Sequence, residues 1–600
     1  MGKAENLDQV RSELRRLGYL DHGFERFLLQ DALRPRAPLR TVVDLTARVA
    51  LLAGGVSAAA LALALVAANG GFSSSPLDVA ALFLHLFPPI SFAAGLGFLA
   101  LCGIVLLVLR LYPVKRIEAV SLAAAAAAGA AALGLILLGA RELIHEGNRT
   151  LLLVLALAAP LAVAVLVRLV YQGLLTLAIR FTDSTPRTRL FSRRGLGLAI
   201  LAAAFLLTVP AVVTARRETI AAPPSLPMAP GDRVLLLGID GVLPEELDYL
   251  LAVGDLPTLG RLAREGGRTF RYDRKDEPPA SFWTAVATGI PGPDHGVTSL
   301  DSFRPLGVET PLARNGPVRL WWSAVEVPLG LAEYRPVLAN RRRAFAVWEL
   351  ASRGGTPVLA VNWWGTFPAE PLPGLVVAHG AFQLLEEGAQ GAIAPESEKK
   401  EAEILVRRTR IDKGGQRLAA ALPPEALASV LQRALLPDRF YRRIFEERLA
   451  ASPKAAALYL PGLDIAADGW SGGDVAFADL VRAELSAADA LLARSLPGVG
   501  TVAVVFDPGR RRAGSQGRVV IWRRAGCDGR VGEIEPEAVA SGLLRALGLP
   551  QSGELPPPPV GCRWAPAPAT VPGYGEPRQG RASAPQGAEY LKSLRSLGYL

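Results

Sequence analysis

The stretch RVLLLGID at 233–240 is an unbroken apolar run that closes on a carboxylate, Asp240, followed at once by Gly241. Such a run has the pattern of a strand buried on both faces. In an open α/β sheet, the carboxyl end of such a strand is where ligand sites form. An acid held there can do one of two things. It can act as an oxygen ligand for a hard cation such as Mg²⁺, Mn²⁺ or Ca²⁺, or it can accept hydrogen bonds that cap a helix or turn. Zinc chemistry also asks for imidazole, and after residue 215 the sequence contains two histidines, His295 and His379. Of the three cysteines, Cys102 lies in an apolar run, while Cys527 and Cys562 have no metal-type spacing.

The elements that must position Asp240 follow from the same patterning. Residues 256–267 read as a helix after the first strand, and 281–289 as a second helix opening after Pro278 and Pro279. Further apolar runs at 358–362, 456–460 and 501–506 continue the alternation of strand and helix. A mostly parallel sheet is the architecture that buries such runs.

The segments LLLGIDG at 235–241, PPASFWTAVATGIPGPDHGV at 278–297, VWELASRGGTPVLAVNWWGTFPAEPLPG at 347–374, YLPGLDIAADGW at 459–470 and VVFDPG at 504–509 stand in order along the chain. Together they resemble the alkaline phosphatase superfamily, in its type I phosphodiesterase and nucleotide pyrophosphatase branch. The resemblance implies two metal ions, usually zinc, held by Asp and His, and a Ser or Thr nucleophile at a helix amino terminus between them. Two such ions clamp a phosphoryl oxygen and stabilise the leaving oxygen.

Carried onto this sequence, the pattern gives Asp240, Asp464 and Asp507 as metal aspartates. Asp468 stands where a ligand histidine is expected and Pro508 where another is, while AGSQGRVVIW at 513–522 contains none. The nucleophile position is Pro279. Ser281 is the one nearby substitute, but two residues turn it about 200° around a helix, so capping of the helix is the expected role. His295 matches a histidine of the family that is not a ligand. The resemblance therefore implies a phosphodiesterase-like domain without an intact binuclear zinc site, acting in binding or scaffolding at the cell envelope. The alternative is an active metal-dependent phosphodiesterase, phosphohydrolase or phosphotransferase using Mg, Mn or Ca on Asp240, Asp464, Asp468 and Asp507.

The first half of the chain is a different material. Residues 49–68 are uncharged and mostly apolar, and 20 residues make about 30 Å of helix, the thickness of a bilayer core. Further spans are expected at 90–109, 119–140, 151–179 and 195–215, five in all. The apolar stretch 79–87 precedes Pro88 and Pro89, which are expected to split it off as an interfacial or re-entrant piece; a sixth span there would invert the topology. Arg168 is expected to snorkel near the end of its span, with the remainder running as an interfacial helix.

Loop charge orients the spans, because Lys and Arg are retained on the cytoplasmic side. Arg110, Lys115 and Arg116 mark one such loop, and Arg180, Arg187, Arg189, Arg193 and Arg194 another; residues 69–77 carry no charge. The expected order is a cytoplasmic segment 1–48, a membrane domain 49–215, a Pro-rich linker 216–230, an extracytoplasmic α/β domain 231–550, and a Pro-rich tail 551–600 ending in a short helix. That places the protein in the inner or plasma membrane with a periplasmic second half, where Cys527 and Cys562 should be oxidised to a disulfide. Expected partners are the lipid bilayer and an envelope protein or ligand. The net charge of +10 is scattered or flanks the spans, with no binding motif for nucleic acid. The ending LRSLGYL at 594–600 nearly repeats LRRLGYL at 14–20, on what should be the opposite side of the membrane.

Overall fold

The computed structural model describes residues 11–17, 38–69, 76–112, 116–143, 149–182, 226–273, 277–309, 311–312, 316–409, 423–468, 470, 474–512, 514–575, 577 and 584–599. It divides into two compact units, Met1–Arg216 with Ser302–Tyr334, and Arg217–Asp301 with Arg335–Leu600.

The first unit holds α1 (Pro38–Ala68), α2 (Pro76–Leu111), α3 (Ile117–Leu143) and α4 (Arg149–Thr182). All four are long and apolar enough to cross a membrane, which makes this a membrane protein. The expected fifth span, 195–215, lies outside the described residues. Two expectations are corrected. Pro88 and Pro89 sit inside α2, so residues 79–87 are the opening turns of one 36-residue helix rather than a separate piece. Neighbouring helices support a proline-containing helix in an apolar setting, because they re-satisfy or shield the freed backbone groups. Likewise α4 does not become interfacial after Arg168. Residues 169–179 are its most buried part, with Tyr171 and Leu174 packed in one cluster with Val49, Phe98 and Cys102.

The second unit is built on a nine-stranded sheet. Its strands are β1 (Val234–Asp240), β2 (Gly267–Asp273), β5 (Val358–Trp363), β6 (Gly374–Ala378), β7 (Ile393–Ala394), β8 (Ala455–Leu460), β9 (Thr501–Asp507), β10 (Gln516–Arg523) and β11 (Val531–Glu533), in the order β11-β2-β10-β9-β1-β8-β5-β6-β7. The five central strands, β9-β1-β8-β5-β6, are parallel. Four of them, β1, β5, β8 and β9, are the runs legible in the sequence as unbroken apolar stretches, and the structure adds β6. The margins are antiparallel where β10 pairs with β9 and β2, and where β7 pairs with β6. Cys527 and Cys562 form the expected disulfide.

Helices α5 (Pro279–Thr288), α6 (Val347–Ser352), α7 (Leu436–Leu449), α8 (Gly462–Ala467), α9 (Asp474–Ser495) and α10 (Ala584–Ser596) accompany the sheet. The Pro-rich tail ends in the expected helix. Tyr590, Leu594, Leu597 and Tyr599 belong to the same apolar core as the strands, so LRSLGYL docks within its own unit.

Residues 302–334, read from sequence as part of the α/β domain, pack instead with the membrane helices. Strands β3 (Asp301–Pro305) and β4 (Ala332–Pro336) pair at the base of this excursion. Phe303, Val308, Leu312 and Trp322 share a cluster with Leu63 of α1 and Leu82 and Leu86 of α2. The extra length of α2 is thereby explained, since its first turns are the support for this hairpin.

Candidate functional site

The parallel register of β1 with β9 sets Asp240 opposite Asp507 at the carboxyl end of the sheet. From the neighbouring β8 the chain turns at Pro461 into α8, with Asp464 in its first turn. The start of α8 is fixed by the Gly462 N–H, which donates to Asp438 Oδ2 at 3.0 Å; burial pushes the Asp438 carboxyl up to about 8. Asp240, Asp464 and Asp507 are all buried.

Two glycines permit this convergence. Gly241 has φ +81°, and a Cβ there would lie 2.3 Å from the Asp464 nitrogen. Gly509 has φ +60°, and a Cβ there would lie 2.3 Å from Asp464 Oδ1 and 2.6 Å from Asp240 Oδ1. Both positions combine left-handed backbone with space for hydrogen alone.

Protein donors supply what a cation would otherwise supply. Asp240 Oδ2 accepts from the Tyr459 hydroxyl at 2.7 Å and from Trp283 Nε1 at 3.0 Å, and its Oδ1 from the Gly241 N–H at 3.0 Å. Asp507 Oδ1 accepts from the Tyr272 hydroxyl at 2.9 Å and Oδ2 from the Gly509 N–H at 3.1 Å. Asp464 is clasped by one residue. The Arg510 N–H donates to Oδ1 at 2.7 Å and Arg510 Nε to Oδ2 at 2.8 Å. Burial works against the Arg510 charge, but Asp464 outweighs it and pushes the guanidinium pKa up. Burial, and then the charges of Asp464 and Asp507, push Asp240 well above the usual carboxylate range.

The chain's own tail closes the site. Arg510 Nη1 donates to the Gly598 carbonyl at 2.8 Å, and its guanidinium carbon lies 4.9 Å from the centre of the Tyr599 ring. Burial, then the charges of Asp464 and Asp240, raise the Tyr599 hydroxyl well above the phenol range.

The expected four-acid set is corrected to three. Asp468 follows the last turn of α8 in an extended conformation and is half exposed, 3.5 Å from Arg433 Nη2 and 3.9 Å from Arg510 Nη1. The expected cap is corrected too. Pro278 is the N-cap of α5 and Pro279 its first residue, so Ser281 lies inside the helix. Its buried hydroxyl donates to Glu277 Oε2 at 2.6 Å, and no aspartate of the cluster is its hydrogen-bond partner.

Both histidines are held as neutral rings. The Val297 N–H donates to His295 Nδ1 at 3.1 Å, which leaves Nε2 to donate to the Ser281 carbonyl at 3.1 Å. His379 stacks on Trp364 with ring centres 3.6 Å apart and meets the Tyr590 hydroxyl at 2.9 Å; burial pushes its pKa down to about 3.

These residues do not fit a binuclear zinc centre. Imidazole ligands are missing, and the carboxylate lone pairs face N–H and O–H groups. Among the described residues no group of three or more His, Cys, Asp or Glu side chains is arranged to hold a metal ion.

No protein-family model matches the chain, and no curated protein matches it. Similarity is confined to solved structures. Phosphonoacetate hydrolase from Sinorhizobium meliloti 1021, in complex with phosphonoformate, aligns over 48% of this chain at 14% identity with a TM-score of 0.29. The same enzyme in complex with phosphonoacetate aligns at 15% identity with a TM-score of 0.28. In both cases the chain spans 59% of the hydrolase's length. The PH0037 protein from Pyrococcus horikoshii aligns over 53% of this chain and 98% of its own, at 12% identity and a TM-score of 0.27. Likenesses this distant carry no argument about chemistry, which rests on the geometry above.

Sequence reasoning missed Arg510, Tyr459, Trp283, Tyr272 and Tyr599. A signal existed for two of them: three consecutive arginines, Arg510 to Arg512, begin three residues after Asp507, and Tyr599 lies in the repeated LGYL ending.

Proposed function

We propose that this protein is a membrane-anchored, phosphodiesterase-like member of the alkaline phosphatase superfamily whose extracytoplasmic site has given up hydrolysis for binding or scaffolding at the cell envelope. The observation that carries the reading is Arg510. Its backbone N–H and its guanidinium Nε satisfy the two oxygens of Asp464 at the point where the resemblance calls for a metal ion. Superfamily membership is supported by the convergence of Asp240, Asp464 and Asp507 from three separately matched motifs. The proline at 279 removes the nucleophile as well, so attacking group and metal-ligand set are both incomplete.

The extracytoplasmic placement draws support from the hairpin. Residues 302–334 are spliced into the α/β domain and pack against the end of α1 and the start of α2. That is the side of the charge-free loop 69–77, which the charge rule turns outward. The Cys527–Cys562 disulfide fits an oxidising compartment. Protease added outside intact spheroplasts should remove the α/β domain; its protection would overturn the placement.

The convergence of three carboxylates favours one second reading, an active site using Mg, Mn or Ca on aspartates alone. One experiment separates the two. The purified full-length protein is assayed with a chromogenic phosphodiester and a phosphomonoester in zinc, magnesium, manganese and calcium, beside Asp240→Asn and Asp464→Asn. Background rates throughout are expected. Turnover that vanishes in both variants would establish the carboxylate site and end the binding proposal.

A further inference from the structure

We propose that the hairpin from Asp301 to Pro336 is a second membrane contact, a foot beside the membrane helices that lies in the headgroup layer and turns leucines onto lipid. The proposal rests on reading α1 to α4 as membrane spans.

Depth comes first. Arg110 marks the charged end of α2. Counting back at about 1.5 Å per residue, a hydrocarbon core of about 30 Å is used up after about 20 residues, near Ile90. The turns just before Ile90 therefore lie at the bilayer surface. That is where the hairpin is seated, with Phe303 and Trp322 packed on Leu82 and Leu86. Polar contacts pin it there. His85 Nε2 donates to the Leu306 carbonyl at 2.9 Å, its Nδ1 lies 3.0 Å from Glu326 Oε2, and Trp321 Nε1 donates to Glu326 Oε1 at 2.9 Å. A hairpin held at that level cannot avoid the membrane surface.

Its outward side mixes charged residues, Glu309, Arg319 and Glu333, with exposed leucines, the mixture of a headgroup-level surface. Leu320 is 78% exposed, and Leu306 and Leu329 are each 67% exposed. Leu331 is also exposed and sits beside Leu306, whose N–H donates to the Leu331 carbonyl at 2.8 Å. Four exposed leucines in so short an excursion call for a cover. Continuity identifies it as lipid. Leu77, Leu84, Phe92, Leu96 and Leu99 are exposed on α2, so its lipid-facing surface extends to the hairpin's own level. Trp321 and Tyr334 add the partly buried aromatic rings favoured at membrane interfaces.

The test uses the full-length protein in phosphatidylcholine–phosphatidylglycerol vesicles. Leu320→Cys, Leu329→Cys, Leu99→Cys and Val560→Cys each carry a polarity-sensitive fluorophore. Cys102 is buried and the other two cysteines are paired, so the new thiol takes the label. Probes at 320 and 329 should lose about half their signal to a doxyl quencher placed near the headgroup, as expected for apolar groups buried to the headgroup–acyl boundary. They should be little affected by aqueous iodide. The probe at 99 should respond to a quencher deep in the acyl chains, and the probe at 560, in the disulfide-tied segment, to iodide alone. If 320 and 329 follow 560, the foot is refuted. Shielding from both quenchers would mean a protein partner or second copy covers the leucines, which also overturns lipid contact. A probe at 99 that misses the deep quencher would instead overturn the span reading.

Discussion

The acid corner of the sheet and the first turn of α5 meet opposite fates. At the ends of β1, β8 and β9 every matched aspartate persists, buried and clasped by tyrosine, tryptophan, arginine and backbone donors. At the start of α5 the first helical position is a proline, Pro279. The difference lies in charge. A buried carboxylate without a partner costs several kcal/mol, so the fold has to supply donors to each of these acids. A missing neutral hydroxyl leaves no debt of that kind, and Pro at the first helical position even suits the helix. The two places therefore differ in kind: carboxylates clasped by protein donors at one, a proline at the first helical position at the other.

The sharpest way to break this comparison is Arg510→Met. It leaves Asp464 buried with one donor fewer and no counter-charge, and should cost about 3 kcal/mol in chemical denaturation. Adding Asp464→Asn should restore most of that loss. A single variant as stable as wild type would mean the acid corner tolerates an unpaired charge after all.

Next in size is Tyr599→Ala. Removing a ring that covers Arg510 and packs against Trp364 should cost about 2 kcal/mol. It should also speed amide exchange at Gly509 and Arg510, a readout that a purely remote packing defect would leave unmoved.

A subtler effect concerns Asp240. Its folded pKa is raised, so the folded state keeps a proton that the unfolded chain releases once the pH passes about 3.9. Stability is accordingly lost as pH climbs from there toward the raised value. Asp240→Asn removes that slope. Wild type and variant should differ least near pH 4, with the variant gaining relative to wild type up to pH 8, as read from urea midpoints. Parallel curves would show that the donors around Asp240 already compensate its charge.

Smallest should be Ser281→Ala, at most about 1 kcal/mol, since it removes one hydrogen bond to Glu277. It should leave any background hydrolysis untouched. If a measurable rate fell with this change alone, the first turn of α5 would be chemically alive and the comparison would reverse.

The sequence by itself determined the membrane half, four of the five central strands and the three acids that gather at the sheet's carboxyl end, because unbroken apolar runs and the histidine count are local properties that need no partner to be read. It also showed Pro279 where the family resemblance places a nucleophile. Tertiary structure decided the rest. Asp468 turns away because α8 stops one residue before it, and Arg510 turns in because Gly509 holds a left-handed bend over two carboxylates. Tyr459, Trp283 and Tyr272 are ordinary core aromatics in a sequence; only the sheet's register, and the packing of α5 beside it, aim their polar ends at Asp240 and Asp507. Residues 302–334 group with the membrane helices because their apolar side chains cluster with those of α1 and α2. Which donor meets which acid depends on chain crossings up to hundreds of residues apart, and no local pattern carries that information.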